Sequence, residues 1–394
     1  MNVFIIPSWY PSASNPIYGT FNYEQARLLS KTRENWSIGV STWGQGDIRF
    51  LLGAFDPRSI LRAMKRYESD ENAINKNLKE YFSPAFTWSR KVASGNISGI
   101  IKANEDNLNR FIGDFGKPDI LSAQASYPAA LIAAHLANKH RIPYTVTIRM
   151  SPFPFSEFRE KNGKLKALID EPLRNADQLI ATSHSLKENL LSNDFEKVEV
   201  VNNPVDLSFF RPDQETKNSN HLLVVGRIEE QKGIDLLIHA IVHLGDSFEG
   251  KVRIAGDGSL IDNYRKMARD AGVESKIEWL GQLSRNQVLE EMRRCSFYVL
   301  SSRHETFGNV VVEAMACGKP VVATKCGGPE EIVSETSGLL CEINSTDLAA
   351  KIRLMIEMRA DFKDEDIRAE AERRFSSEKW ANRLEAVFKT VISR

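Results

Sequence analysis

Two glutamates, Glu305 and Glu313, form the most informative pair of side chains in the sequence. They lie eight positions apart in the stretch SSRHETFGNVVVEAMACG, residues 301–318. A turn at Gly308 is predicted to start a helix, which places Glu305 on the preceding loop and Glu313 about a turn and a half into the helix. The predicted buried face of that helix consists of Val310, Val311, Ala314 and Met315. Two carboxylates in this arrangement are suited to holding two hydroxyl-rich parts of one ligand.

The start of the same helix offers backbone donors. The first N–H groups of a helix have no intrahelical acceptor and attract anions. Here the predicted donors are Thr306, Phe307, Gly308, Asn309 and Val310. An anion between two hydroxyl-rich groups describes a nucleotide sugar, although a charged helix start alone also produces such a glutamate pair.

Two cations follow the apolar segment 221–225, which predicts a strand. Gly226-Arg227 and Lys232-Gly233 come after it and before a helical pattern. Open α/β sheets bind ligands at the carboxyl ends of their strands. Arg227 is suited to a bidentate contact with a diphosphate and Lys232 to a point-charge contact. The spacing is not that of a P-loop, and the alternative is two solvated cations on a loop.

Glycines end two further predicted strands. Gly256 and Gly258 follow residues 251–255. Their spacing is shorter than GxGxxG, so they indicate a tight turn that borders a base or a phosphate, and no dinucleotide fingerprint. Gly327 and Gly328 either bring backbone close to a ligand or form a plain turn.

Short apolar segments alternate with helical patterns along the chain. The predicted strands are 2–6, 36–40, 119–123, 144–148, 178–182, 198–202, 221–225, 251–255, 276–280, 296–300, 319–323 and 338–342. The predicted helices include 21–30, 126–139, 185–192, 233–244, 259–271, 285–294 and 347–358. This alternation predicts an α/β protein with parallel sheets covered on both faces, in two Rossmann-like domains.

An Asn/Pro-rich break at residues 202–206 predicts the boundary between the domains. We therefore expect an N-terminal domain at 1–205 and a C-terminal domain at 206–375. Residues 376–394 carry apolar side chains at helical spacing. They predict a last helix that crosses back to the N-terminal domain.

Charge and cysteine content limit the function classes. The chain has 394 residues with 52 Lys/Arg and 52 Asp/Glu, and residues 1–205 have a balance of +4 (25 against 21). Residues 206–394 therefore have a balance of −4 (27 against 31). This difference between the halves is too small for a nucleic-acid binder. It is compatible with an anionic lipid or phosphorylated acceptor near the first half. The four cysteines form no CxxC pair; they predict buried thiols in a reducing compartment and no metal site.

The chain start and its hydropathy favour a cytoplasmic protein. Residues 1–11 lack a basic n-region and read as a first strand, and no 18-residue apolar run predicts a spanning helix. Basic and apolar side chains alternate in residues 58–67. They indicate either an amphipathic helix at the inner face of a membrane or the solvated face of an inserted helix.

Taken together, the motifs of the second half resemble the nucleotide-sugar-binding domain of the family 4 glycosyltransferases, retaining enzymes of GT-B fold. The matching motifs are Gly226-Arg227 with Lys232-Gly233, Gly256-Asp257-Gly258, Glu305-x7-Glu313, EAMACGKPVVAT at 313–324 and the closing FSSEKWANRLEAVF at 375–388. The match covers nearly all of 200–394. It implies two Rossmann-like domains whose parallel sheets face a central cleft.

The resemblance also implies roles for these residues. Arg227 and Lys232 would bind the donor diphosphate, Glu305 would lie by the donor sugar and Glu313 would hold the ribose. The donor would be a UDP-sugar or a GDP-sugar, and the acceptor a glycan or a lipid-linked hydroxyl. No DxD motif suits a divalent ion in the cleft, and Arg227 and Lys232 already serve the phosphates. We therefore expect activity without a metal or another cofactor.

The first half matches the family more loosely. The stretch NPIYGTF at 15–21 resembles the family's glycine loop, where backbone approaches the acceptor and the donor phosphate. Gly19 permits such an approach, and Thr20 is expected to cap a helix that starts near Phe21; a structural cap alone is the alternative. Gln124 and Tyr127 end another predicted strand and are expected to contact the acceptor.

Arg149 departs from the family pattern. Many relatives have Thr-Glu-His at the end of this strand, with the His near the transferred sugar, whereas this chain has Thr-Ile-Arg at 147–149. We hypothesise that Arg149 recognises an anionic group of the acceptor or the donor. A surface or salt-bridged arginine is the alternative, and a degraded site is a third.

The sequence thus predicts a retaining glycosyltransferase that uses Arg227, Lys232 and Glu305. By analogy, its setting is the synthesis of bacterial polysaccharide or glycolipid. A GT-B epimerase or hydrolase of sugar nucleotides and a non-catalytic nucleotide-sugar-binding scaffold are the alternatives.

Overall fold

The computed structural model describes residues 1–53, 58, 61, 65, 67–88, 95–150, 152–213, 220–245 and 248–394. These residues form two compact units. The N-terminal unit consists of Met1–Thr182, Lys187–Val201 and Trp380–Arg394, and the C-terminal unit of Ser183–Leu186 and Asn202–Lys379. Much of the proposed amphipathic segment, namely Ser59, Ile60, Arg62, Ala63, Met64 and Arg66, lies outside the described residues.

The N-terminal unit contains an eight-stranded sheet in the order β3-β4-β2-β1-β5-β6-β7-β8. Its strands are β1 Asn2–Pro7, β2 Ser37–Thr42, β3 Asp70–Asn75, β4 Leu78–Phe82, β5 Ile120–Gln124, β6 Tyr144–Ile148, β7 Gln178–Ala181 and β8 Val198–Val200. All neighbours pair in parallel except β3 and β4, which are antiparallel.

Helices follow most of these strands. They are α1 Thr20–Thr32, α2 Ile97–Phe115, α3 Ala129–His140, α4 Ala167–Arg174 and α5 His184–Leu191. The chain's last helix, α13 Ser377–Ile392, packs Trp380 and Phe388 into the same core as Val3 and Ile38. Its Glu385 also lies 2.7 Å from Arg33 of the N-terminal unit.

The C-terminal unit contains a parallel six-stranded sheet in the order β11-β10-β9-β12-β13-β14. Its strands are β9 His221–Val225, β10 Lys251–Ala255, β11 Ile277–Gly281, β12 Phe297–Leu300, β13 Val321–Thr324 and β14 Gly338–Cys341. Its helices are α6 Ile234–Leu244, α7 Ile261–Asp270, α8 Arg285–Arg294, α9 Asn309–Ala316, α10 Pro329–Ile332, α11 Ser345–Met358 and α12 Asp364–Phe375. The two parallel-sheet units confirm the predicted α/β class.

The β3–β4 hairpin was not expected from the sequence. β3 reads DENAIN, and its residues are exposed apart from the partly buried Ile74. A solvated edge strand carries no alternation of apolar and polar side chains, so its pattern does not distinguish it from a loop. The pairing of β4 with β2 supplies the order that local sequence lacks.

Candidate functional site

The strand order of the C-terminal unit identifies where its functional site lies. β9 comes first in the chain, and the order runs outward from it through β10 and β11 on one side and through β12, β13 and β14 on the other. Ligands of open α/β sheets bind at such a switch point, outside the carboxyl ends of the two central strands. Here the loops 226–233 and 301–308 lie at that point, and we call them the C-terminal crevice.

Hydrogen bonds join the two loops of the C-terminal crevice. The Ser301 hydroxyl donates to the carbonyl of Lys232 at 2.9 Å. The Gln231 amide donates to the carbonyl of His304 at 2.7 Å, and the N–H of Arg303 donates to the carbonyl of Gln231 at 2.7 Å. The loops therefore form one framework and not two independent segments.

Glycines allow this framework to close. Gly233 has φ 60°, and a Cβ there would lie 2.0 Å from the carbonyl oxygen of Ser301. A Cβ at Gly256 would lie 1.8 Å from the oxygen of Gly226, and one at Gly258 would lie 2.3 Å from the oxygen of Ile228. At these three positions neighbouring backbone atoms occupy the space that a side chain would need.

Lys232 and Glu305 meet in the C-terminal crevice. The Lys232 ammonium donates to Oε1 of Glu305 at 2.5 Å, and the Ser302 hydroxyl donates to the same oxygen at 2.8 Å. The Glu305 side chain is 11% exposed and that of Lys232 is 25% exposed. The charges are thus held at a fixed place with one side open to solvent.

Arg227 lies apart from this pair. Its side chain is 82% exposed, and its guanidinium is 3.7 Å from Glu229. Hydrogen bonds from the side chain and backbone of Ser259 hold Glu229 and lower the pKa of its carboxyl. The structure therefore brings Lys232 to Glu305 but leaves Arg227 reaching into solvent.

The predicted helix start at Gly308 is present. Gly308 is the N-cap of α9 with φ 100°, and it offers no side-chain cap to the first turn. Glu313 lies a turn and a half into the helix and is partly buried. Within the predicted buried face Val310 is only partly buried, whereas Val312, which was not predicted, is fully buried.

Other residues that the sequence analysis singled out contact neighbouring parts of the protein. The Phe307 side chain is fully buried, and its ring lies 5.8 Å from that of Phe375, so only its backbone is available to a ligand. Asn309 accepts a hydrogen bond from the Asn203 amide at 3.0 Å. Gly327 and Gly328 pack against the backbone of Glu305 and Phe307, which favours the plain structural role.

Three hydroxyl residues in or beside the C-terminal crevice, Ser302, Thr324 and Tyr298, were not predicted from the sequence. Ser302 holds Glu305 as described, and the Thr324 hydroxyl donates to the Ser302 carbonyl at 2.5 Å. The Tyr298 hydroxyl is buried and donates to the carbonyl of Val225 at 3.3 Å. Burial, with Glu305 nearby, raises the pKa of Tyr298 well above its usual value. Tyr298 lies inside an apolar strand, where sequence alone gives no signal.

The N-terminal unit has its own switch point, because β2 and β5 lie on opposite sides of β1. An open cleft lies among the loops that follow β1, β2, β4, β5 and β6. We call it the aromatic cleft. Its aromatic lining comprises Trp9, Tyr18, Trp43, Trp88, Tyr127, Phe155 and Phe158.

Gly19 and Thr20 do not have the expected division of roles. A Cβ at Gly19 would lie 2.3 Å from the backbone carbon of Trp9, so this glycine permits close contact between two loops. Gly19 is itself the N-cap of α1, in the left-handed conformation, and Thr20 is the first helical residue. The expected Thr20 cap is wrong, because a glycine with positive φ already occupies the cap position.

Arg149 and Gln124 form a cluster in the N-terminal unit. The Arg149 guanidinium donates to Oε1 of Gln124 at 2.8 Å and to Oε1 of Gln25 at 2.5 Å. Burial lowers the pKa of Arg149 to about 9. Arg149, Gln124 and Gln25 line a small cavity, whereas Tyr127 lines the aromatic cleft. The surface alternative for Arg149 is therefore wrong, while its proposed anion contact stays a prediction.

Other sequence expectations concern thiols, metals and membranes. All four cysteines are buried and free, and burial raises the pKa of each thiol to about 12. Within the described part of the chain, no group of three or more His, Cys, Asp or Glu side chains could hold a metal ion. No helix among the described residues has the length and apolar character needed to cross a membrane.

Comparison with known families decides the assignment. The sequence model of Glycosyl transferases group 1 matches residues 208–374, and that of Glycosyltransferase Family 4 matches residues 87–209. The chain belongs to the family 4 glycosyltransferases of GT-B type. The group 1 match contains the whole C-terminal crevice.

Relatives of known sequence agree with this membership. An uncharacterized glycosyltransferase of Methanocaldococcus jannaschii is 34% identical over 240 residues, which cover 60% of this chain and 65% of that protein. The phosphatidylinositol N-acetylglucosaminyltransferase gpi3 subunit of Schizosaccharomyces pombe is 30% identical over 235 residues, covering 57% and 51%. N-acetyl-alpha-D-glucosaminyl L-malate synthase of Bacillus anthracis is 25% identical over 297 residues, covering 70% and 75%. The chain thus spans about half to two thirds of the first two relatives.

Solved structures share the fold of this chain. Sucrose-phosphate synthase from Thermosynechococcus elongatus has a TM-score of 0.73 at 16% identity, covering 100% of this chain and 99% of that one. HepE of Anabaena in complex with UDP and glucose has a TM-score of 0.70 at 20% identity, covering 99% and 100%.

Proposed function

We propose that this protein transfers a sugar from a nucleoside diphosphate sugar to a hydroxyl group, with retention at the anomeric carbon. The observation that carries the proposal is the Lys232–Glu305 pair at the switch point, beside the uncapped start of α9. A lysine, a carboxylate and a helix N-terminus together suit a diphosphate joined to a polyhydroxyl group. Family membership supports the same reaction class.

Charge growing on the leaving diphosphate is what the C-terminal crevice is suited to stabilise. As the bond between the anomeric carbon and the diphosphate oxygen breaks, negative charge moves onto the leaving group. Lys232 and the first N–H groups of α9 stabilise that charge. Arg227 is exposed, so its side chain can move to contact the leaving diphosphate as well. The acceptor oxygen bonds to the same face of the sugar, and its proton passes to the leaving phosphate.

Glu305 and Glu313 take the two hydroxyl-rich parts in this proposal. Glu305 is fixed by Lys232 and Ser302, which suits a contact with the donor sugar. Glu313 projects from α9 and is assigned to the ribose. Because the named relatives include N-acetylglucosaminyl transferases, UDP-N-acetylglucosamine is the first donor to test, beside UDP-glucose and GDP-mannose.

Substitution of Lys232 tests the proposal. Removing one fixed donor from growing charge costs on the order of 3 kcal/mol, so Lys232→Ala should lower turnover about a hundredfold or more. Arg227→Ala should act in the same direction. Lys389→Ala removes an exposed lysine of α13 and is the matched control, with turnover expected to stay at the wild-type rate. Wild-type turnover in Lys232→Ala would remove the proposed role.

The alternatives give different results in the same assay. Free sugar or an epimerised nucleotide formed without acceptor would indicate a hydrolase or an epimerase. Tight donor binding without turnover across an acceptor panel would indicate a scaffold. We further propose that activity persists in the presence of a chelator, and its loss there would contradict metal independence.

A further inference from the structure

The aromatic cleft of the N-terminal unit combines ring faces with a few polar groups. Trp9, Tyr18, Trp88 and Phe155 are each partly buried, so part of each ring is open to the cleft. Gln45 is one of the polar side chains of the lining, and its amide donates to the carbonyl of Pro7 at 3.3 Å. Walls of apolar and aromatic side chains with a few polar groups are typical of sites for small organic ligands.

Two aliphatic side chains extend this wall into solvent. Ile48 is 61% exposed and Leu51 is 54% exposed, and both line the aromatic cleft. Single exposed aliphatic residues are common on protein surfaces and need no explanation. Here the two lie on one short turn beside the aromatic rings, so the apolar surface is continuous from the cleft to its rim.

The turn that carries these side chains is firmly anchored. Phe50, between them, is 1% exposed and packs its ring against Tyr67 at 4.8 Å. The N–H of Leu52 donates to the carbonyl of Thr87 at 2.7 Å. The outward position of Ile48 and Leu51 is therefore imposed by buried neighbours.

Charge in the aromatic cleft does not favour a phosphate. Among the described residues that line it, the charged side chains are Asp47 and Glu157, with no lysine or arginine. Asp47 forms an ion pair with Arg49 at 2.6 Å. An acceptor that places a neutral, partly apolar group in the cleft suits this lining better than an anionic acceptor does.

We propose that the aromatic cleft binds the acceptor as an amphipathic glycoside. The neutral sugar head lies against the aromatic rings, and the apolar aglycone runs along Ile48 and Leu51. This inference rests on the proposed function and adds to it the chemical class of the acceptor.

Alkyl glycosides test the inference by binding alone. Methyl, hexyl and octyl glycosides of glucose, galactose and N-acetylglucosamine are titrated into the full chain below their micelle concentrations. Intrinsic fluorescence reports binding, because Trp9, Trp43 and Trp88 line the cleft. Each methylene that leaves water contributes up to about a fourfold gain, so octyl should bind at least about tenfold more tightly than methyl for one of the heads.

Substitutions at the rim assign the effect to a place. Ile48→Gln and Leu51→Gln should abolish the dependence on chain length. Leu191→Gln replaces a leucine that is 45% exposed on α5 outside the cleft lining, and it should retain the dependence. Equal affinity for all chain lengths in the wild type, or a dependence that survives in Ile48→Gln and Leu51→Gln, overturns the proposal.

Two further measurements distinguish acceptor binding in the aromatic cleft from bilayer contact and from donor binding. Binding to phosphatidylcholine vesicles that requires Ile48 and Leu51, without any preference among the glycosides, would mean that this rim contacts a bilayer, and the proposal would be wrong. Thermal shifts with nucleotide sugars are measured on the same samples. Donor binding without a chain-length effect contradicts the acceptor class and leaves the proposed function standing. A chain-length effect without donor binding contradicts the proposed function, and the aromatic cleft would then be a glycoside-binding site and not an acceptor site.

Discussion

The C-terminal crevice and the aromatic cleft obey one topological rule but are built from different side chains. Each lies where the strand order of its sheet runs in both directions from a central strand. The C-terminal crevice is made of glycines, backbone hydrogen bonds and the Lys232–Glu305 pair. The aromatic cleft is made of rings from loops that are far apart in the chain.

The difference shows how the two sites divide their chemistry. Short loops closed by glycine backbone can place one lysine and one carboxylate with little freedom. Longer loops held by packed aromatic rings leave an open space with an apolar wall. The first arrangement suits a charged, invariant group such as a diphosphate, and the second suits a ligand recognised by shape and burial.

Phe50 carries the largest expected effect on the N-terminal side of this comparison. Its ring is fully buried and packs on Tyr67, Phe82 and Phe86. Phe50→Ala should lower the free energy of unfolding of the N-terminal unit by about 3–5 kcal/mol. Phe155→Ala is the control, since Phe155 is only partly buried and should cost less than about 2 kcal/mol. Urea unfolding compares them, and equal losses would show that ring packing does not hold the cleft.

Gly233 tests the glycine framework of the C-terminal crevice. Gly233→Ala adds a Cβ 2.0 Å from the Ser301 oxygen at φ 60° and should cost about 3 kcal/mol. Gly272 ends α7 with φ 72° and nothing within 4 Å of a Cβ, so Gly272→Ala should cost only about 1 kcal/mol. The difference in urea midpoint isolates the close contact of the loops. Similar losses for both would mean that strain alone requires these glycines.

Arg149 links β6 to α1 in the N-terminal unit and gives a smaller effect. Arg149→Ala leaves the buried amide oxygens of Gln25 and Gln124 without this donor and should cost about 1–3 kcal/mol. The anion hypothesis adds a kinetic expectation: kcat/KM falls at least tenfold more for anionic than for neutral substrates. An equal small effect on both classes would dispose of anion recognition and leave the structural role.

His221 gives the smallest expected effect, and it depends on pH. Burial lowers the pKa of His221 from 6.5 to about 4, so the folded C-terminal unit keeps this side chain neutral. Below pH 6.5 the unfolded chain binds more protons, and stability falls as the pH falls towards 4. The loss should be on the order of 1 kcal/mol near pH 5. In His221→Gln this component should vanish, and an unchanged pH dependence would contradict the assignment.

Much of the fold could be predicted from local pattern. The strands at 221–225, 144–148 and 251–255 have the expected bounds because each is a short segment rich in apolar and β-branched residues. The polar strand β3 was missed because it is solvated. The candidate site shows the same contrast. Glu305 and Lys232 could be predicted because they are charged residues in loops after strands, whereas Tyr298 lies within an apolar strand and could not.

By itself the sequence determined the alternation of strands and helices, the helix start at Gly308, and Lys232 and Glu305 as candidate residues of the C-terminal crevice. These features depend on side chains and turns that are close together in the chain. Only the tertiary structure decided that Lys232 pairs with Glu305, that Arg149 points into the protein, and that aromatic residues from distant loops form one cleft. Such contacts depend on strand order and packing, which bring together residues whose local sequences carry no record of one another.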